Sequence, residues 1–277
     1  MRSSTKTVRG IVAAVAGAVT VVAAYAGVPL NGLEGEGGVA FNPLAYTAGQ
    51  NKGTNAWENI VSQPQFGSWY VRLNESDIDW NAIGGAVSFF NRLELSYGYE
   101  AVAISGVANV HKNNVGAKAN LVPENAGGTA FVPAVSVGTI WKDTSKVLVP
   151  GADDKGLDYY LVASKLITQT PLPVLLSGGV LSSKEYVTGV AGFDDKSKIT
   201  GFANAEVILP FGLALGGEYK QGEKYAAFEN ANYWDASLAW LANKNLTLVA
   251  AYVDAGKHET SPYGLGDGLV LSVQYAF

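Results

Sequence analysis

The chain contains two histidines, His111 and His258, and both have carboxylates nearby in sequence. His258 stands beside Glu259 and close behind Asp254, and Asp77 with Asp79 forms a second acidic pair. Paired acids with an Asp–His couple at a barrel rim would activate a water for peptide hydrolysis, with the imidazole as general base. The spacing here departs from that pattern, and neither histidine falls inside a clear strand beside a serine, as lipid-ester hydrolysis would require. We therefore expect no catalytic residues and no enzyme. The segment Asp153-Asp154-Lys155-Gly156-Leu157-Asp158 and the pair Asp194-Asp195 lack the alternating oxygen ligands of a calcium loop, so no metal site is expected. Gly264-Leu265-Gly266-Asp267-Gly268 imitates part of a phosphate-binding turn. It leads into a strand rather than a helix, so the amide cradle would be missing and no cofactor is expected. With no cysteine anywhere, thiol catalysis, thiolate metal sites and disulfides are excluded together.

The remaining candidates are charged and amide side chains that recur inside apolar alternation. By strand parity, Arg72, Glu94, Glu100, Lys118, Asn204, Glu206, Glu218, Lys220, Asp235 and Gln274 share the polar face of their segments. Five acids and three bases on one face need water or one another, because an isolated charge in a dry interior is costly. Chemistry of this kind belongs to the wall of a polar passage or to a closed ion-pair network.

The elements that position these residues are strands. From Phe66 onward the apolar period is two. Leu93, Leu95, Tyr97 and Tyr99 oppose Glu94, Ser96, Gly98 and Glu100; Trp234, Ala236, Leu238 and Trp240 oppose Asp235, Ser237 and Ala239. A soluble sandwich and an outer-membrane barrel both produce this pattern. Small residues on the polar face favour a crowded lumen. Aromatics at segment ends favour interfacial girdles, notably Trp69 and Tyr70, Trp80, Phe89 and Phe90, Trp141, Tyr159 and Tyr160, Tyr233 and Trp234, Trp240, Tyr275 and Phe277. Only 16% of residues are charged, low for a surface in water.

We expect strands at 66–74, 80–90, 93–102, 112–122, 131–142, 157–167, 172–183, 198–209, 212–221, 232–242, 246–255 and 267–277. Their connections alternate between tight turns and long loops, the long ones at 143–156, 184–197, 222–231 and 256–266. That parity places both termini on the periplasmic side. The fold class is all-β: a transmembrane antiparallel up-and-down β-barrel of about twelve strands, with ten to fourteen admissible.

Upstream, Arg2, Lys6 and Arg9 precede the apolar run from Ile11 to Ala26, which closes on Ala24-Tyr25-Ala26. This is the pattern of a signal peptide over 1–26, cleaved after Ala26. Cleavage would leave 16 basic against 24 acidic residues, which argues against a nucleic-acid partner. Residues 27–65 are Gly-rich, with one short strand-like piece at 38–41 and a candidate short helix at 54–62. They would form either a plug inside the barrel or a periplasmic lead-in.

The stretches NGLEGEGGVAFNPLAYTAG, YYLVASKL, ANAEVILPFGLALGGEYK, WDASLAWLANKNLTLVAAYVDAG and LVLSVQYAF resemble a bacterial family known as domain of unknown function 3034. The resemblance covers most of the chain after residue 26 and implies an exported β-barrel in the bacterial outer membrane. It implies no functional residue. Separately, Val273, Tyr275 and the terminal Phe277 resemble the C-terminal insertion signal of outer-membrane proteins. The partners then expected are outer-membrane lipid and lipopolysaccharide, the barrel-insertion machinery and small polar solutes; oligomeric state is left unassigned. The function expected is a narrow porin-like channel with mild cation preference. The alternative is a non-conducting structural or surface-binding protein acting through its outer loops.

Overall fold

The computed structural model describes residues 30–49, 60–225, 229–256 and 264–277. The signal-peptide reading, the helix expected at 54–62 (bar its last residues), and His258 with Glu259 lie outside these.

Period-two alternation yields twelve antiparallel strands: β1 (Gln65–Leu73), β2 (Ile78–Phe89), β3 (Leu93–Ile104), β4 (Ala108–Val122), β5 (Ala134–Thr144), β6 (Lys155–Ile167), β7 (Val174–Tyr186), β8 (Gly192–Ile208), β9 (Leu213–Lys220), β10 (Tyr233–Leu241), β11 (Leu246–Asp254) and β12 (Asp267–Ala276). Each pairs with its sequence neighbours and β1 pairs with β12, closing the barrel. Closure removes both sheet edges, so every strand can satisfy its backbone within a bilayer.

Along β12, Leu269, Leu271, Val273 and Tyr275 are exposed on the outer face, while Val270, Ser272, Gln274 and Ala276 are buried on the inner face. Phe277 continues the outer row and packs edge-on against Phe66 and Tyr275. The aromatic residues divide more evenly than a girdle requires. Tyr70, Trp141, Tyr159, Trp234, Trp240 and Tyr275 face outward, but Trp69, Trp80, Tyr160 and Tyr233 are buried inside. Adjacent residues of a strand cannot share a face, so Trp69-Tyr70, Tyr159-Tyr160 and Tyr233-Trp234 each send one ring in.

One expected loop is mostly strand. Residues 184–197 read as a connection because of their charge, yet β7 runs to Tyr186 and β8 begins at Gly192, leaving a turn at 187–191. The inner face of this stretch is polar and enclosed, with Ser183 and Glu185 buried, so its charge does not mark a loop. Pairing there tolerates a bulge between Ser183 and Glu185. The long connections at the end opposite the termini are 145–154, 221–232 and 255–266.

Candidate functional site in the barrel lumen

The lumen is occupied by the chain's own residues 30–49. Asn31, Leu33, Glu36, Ala40, Asn42, Leu44, Ala45 and Ala48 are buried there. The expected strand at 38–41 is absent; two isolated bridges, Asn31 with Gly37 and Gly38 with Pro43, hold the segment in a tight fold of its own. Its backbone hydrogen bonds are internal, for example Leu33 N–H to Ala40 O at 2.8 Å and Leu44 N–H to Gly37 O at 3.1 Å.

The barrel wall holds this segment with side chains. Glu218 on β9 accepts from three consecutive amides, Ala40 at 2.6 Å, Phe41 at 3.2 Å and Asn42 at 2.9 Å. Such a run of amides is an anion nest. Glu94 on β3 accepts from Gly37 at 2.9 Å and from Ala48 at 2.6 Å. Lys118 on β4 donates to the carbonyls of Gly37 and Leu44 and lies 3.0 Å from Glu94. Gln274 on β12 accepts from Asn31 N–H at 2.9 Å. Gln65, the first residue of β1, donates to Leu30 O and accepts from Gly49 N–H, clasping the two ends of the segment together.

Deeper in, Glu34 reaches a lysine network at the end opposite the termini. Lys112 lies 2.8 Å from Glu34 and 3.0 Å from Glu100. Lys142 contacts Glu34 at 2.6 Å, Asp158 at 2.7 Å and Glu185 at 2.6 Å, and Glu185 also pairs with Lys220 at 2.6 Å. Buried charges persist when each is paired, and each of these has an ion partner, Asp158 through its contact with Lys142 alone. A glycine notch receives the tip: a Cβ on Gly98 would stand 2.4 Å from Glu34 O, and one on Gly84 would stand 2.7 Å from Gly35 Cα.

Nine of the ten residues expected on the inner face are there and buried: Glu94, Glu100, Lys118, Asn204, Glu206, Glu218, Lys220, Asp235 and Gln274. Arg72 is not. The inner row of β1 is Trp69, Val71 and Leu73, which join an apolar cluster with Leu33 and Ala40. Parity therefore sends Arg72 outward beside Tyr70. There its guanidinium pairs with Asp77 and, at 2.9 Å, with Asp79. Hydrogen bonds from Ser105 and Arg72 hold the Asp77 carboxyl below its usual range.

Four functional side chains escaped the sequence reading. Lys112, Lys142, Asp158 and Glu185 are buried in the ion-pair network. Lys112, Lys142 and Asp158 already fell within the expected strands, and Lys112 shares parity with Lys118 and Asp158 with Ser164, so the same parity count would have found them. Glu185 sat in the supposed loop. His111 is on the outer face of β4, stacked on Tyr99 with ring centroids 5.8 Å apart. Its Nδ1 lies 2.8 Å from Tyr99 Oη, while Asp79, also on the outer face, is engaged by Tyr70 and Arg72.

With these four, the inner face carries seven buried carboxylates (Glu94, Glu100, Asp158, Glu185, Glu206, Glu218, Asp235) against four lysines. Among the described residues, Glu206, Glu218 and Asp235 make no ion pair. They occupy neighbouring strands, with Glu218 directly opposite Asp235 in the β9–β10 register and opposite Asn204 in the β8–β9 register. One carboxylate oxygen each of Glu206 and Asp235 has no hydrogen-bond partner. Between segment and wall lie cavities of about 60, 30 and 20 Å³. A single water needs roughly 10–15 Å³ on this measure, so each holds a few waters at most.

A family model for a protein of unknown function, DUF3034, matches residues 27–274. The chain belongs to the DUF3034 family. The lumen segment and the barrel up to the last residues of β12 fall within the region matched in this DUF3034 member. No curated protein is significantly similar to it. Its barrel is similar to the KdgM porin, with 14% identity, a TM-score of 0.53, and coverage of 77% of this chain and 99% of that one. KdgM porin in complex with disordered oligogalacturonate gives a TM-score of 0.54 at the same identity and coverage. The NanC porin follows at 10% identity and 0.50, covering 76% of this chain and 98% of that one. At these identities the likeness is one of fold: the chain is a twelve-stranded, porin-like β-barrel.

Proposed function

We propose that this DUF3034 protein is an outer-membrane channel for small polar solutes with a mild preference for cations, closed in the described state by residues 30–49. The observation that carries the reading is the charge of the inner wall, seven carboxylates against four lysines, with Glu206, Glu218 and Asp235 left without a cationic partner. Once water reaches the wall these carboxylates ionise, and fixed charge of one sign in a narrow passage concentrates the opposite ion. The porin-like fold supports an outer-membrane location, and outward Val273, Tyr275 and Phe277 suit a terminal strand presented to the insertion machinery. Oligogalacturonate, held by the KdgM porin, is a polyanion. The acidic wall here disfavours that class of cargo.

A second reading, a non-conducting scaffold acting through its outer loops, draws on the filled lumen and its small cavities. Planar-bilayer recording across a KCl gradient separates the two. Discrete steps with a reversal potential displaced toward that of potassium support the channel, whereas silence from correctly folded protein supports the scaffold.

A further inference from the structure

The manner in which residues 30–49 are held differs from ordinary core packing. Their backbone bonds stay within the segment, and among the described residues the hydrogen bonds from segment backbone to strand are made by wall side chains rather than strand backbone. The barrel ladder is complete without them, from β1–β12 pairing round to β1–β2. The receiving surface is shaped in advance. Gly98 presents no side chain where Glu34 O sits, Glu218 meets three consecutive amides, and Ser164 and Ser136 meet the N–H and C=O of Ala45 at 2.9 and 2.6 Å. These contacts read the backbone of a folded-back peptide.

The path of the segment matters as much. Gln65 binds Leu30 O at 2.9 Å and Gly49 N–H at 3.0 Å, so the segment enters and leaves at one point. That point is the barrel end carrying both termini, since Gln65 pairs with Ala276. The tip, Glu34 and Gly35, packs on Gly84 and Gly98 midway along β2 and β3, and the Glu34 side chain reaches on to Lys112 and Lys142. A loop whose two ends meet at one mouth can leave through that mouth without threading.

We propose that the inner wall is a peptide-binding site, with residues 30–49 as a detachable ligand that withdraws as one unit through the terminus-bearing mouth. The site recognises a Gly-rich, folded-back polypeptide by its amides and carbonyls. Withdrawal breaks no strand pairing. It exposes Glu94 and Glu218 to water and leaves Lys112, Lys142 and Lys220 facing Glu100, Asp158 and Glu185, which remain their partners on the wall. The inference deepens the channel reading, because release of this segment is what would open the lumen.

The test uses the full chain, which has no native cysteine. Ala48, buried in the segment, is replaced by cysteine (A48C), and modification by a polyethylene-glycol maleimide is timed in refolded, membrane-inserted protein. Against that background, G98A places a methyl group onto Glu34 O from the wall side. The expected result is slow modification in A48C and a rate at least about tenfold higher in A48C/G98A, as loss of a tightly fitted contact implies. Both proteins should show the same strand content. Should G98A fail to insert, S136A/S164A, which strands the Ala45 N–H and leaves its carbonyl only Asn120 Nδ2 at 3.1 Å, carries the same test, again with a rise of about tenfold. Equal rates in all variants, in protein shown to be folded, would overturn the proposal and make the segment a permanent part of the core. The assay reads docking without current, so release with no conductance would sink the channel reading and leave this one standing.

Discussion

Replacing Glu185 with glutamine removes the carboxylate shared by two buried lysines. Glu185 lies 2.6 Å from Lys142 and 2.6 Å from Lys220, and all three side chains are nearly inaccessible to solvent. Their fates differ after the change. Lys142 keeps Glu34 at 2.6 Å and Asp158 at 2.7 Å. Lys220 loses the one carboxylate within ion-pair distance of it among the described residues. Stripping the partner from a buried charge costs about 3–5 kcal/mol, and the glutamine oxygen can still accept one hydrogen bond, so E185Q should cost about 3 kcal/mol. Removing the stranded ammonium as well should recover most of that, since replacing a whole buried pair with apolar groups is often neutral. E185Q/K220M is therefore expected within about 1 kcal/mol of wild type. Equilibrium urea unfolding in lipid vesicles, followed by the fluorescence of the six tryptophans, reads both values. The reasoning fails if E185Q loses less than about 1 kcal/mol, or if the double variant is no better than the single one.

Three further outcomes follow from the same geometry. Burial and the neighbouring carboxylate of Glu34 push Glu36 up to about 7 from an ordinary 4.5, against the pull of Lys118. The docked segment thus prefers protonated Glu36, so docking is strongest below pH 4.5 and weakens as pH rises toward 7. Modification of A48C, normalised to a free thiol, should quicken across that window by up to about tenfold per pH unit, and E36Q should flatten the profile. In a segment-released background, E206Q/D235N should bring the reversal potential closer to zero; an unchanged value would mean that other wall charges set the selectivity. Deleting Phe277 removes the outer-face ring packed on Phe66 and Tyr275, and the insertion-competent terminus with it. The variant should accumulate uninserted, as heat-modifiable gel mobility of membrane fractions would show.

Period two and strand ends rich in aromatics made most of the barrel legible, because a lipid-facing strand must alternate. β12 is the clearest case, with every residue on the face that its parity predicts. Arg72 shows where that logic stops. It assumed that inward means polar, whereas β1 turns Trp69, Val71 and Leu73 inward to pack on Leu33 and Ala40, making that part of the lumen a core. Glu185 was hidden for a different reason: its charged stretch reads as a loop, whereas β7 carries it into the buried ion-pair network. The docking of residues 30–49 was legible in neither of its two halves. A Gly-rich segment has no period, and wall residues such as Glu218 and Ser164 give no local sign of which backbone they hold. The link between them exists only in three dimensions.

The central claim is that this barrel is a cation-preferring channel shut by its own residues 30–49. Single-channel recording of wild type and G98A side by side, across a KCl gradient, tests it most directly. The account predicts a largely silent wild type and, in G98A, frequent steps whose reversal potential lies on the potassium side of zero. If G98A frees the segment by the thiol assay yet passes no current, or passes current with a preference for chloride, the account is wrong.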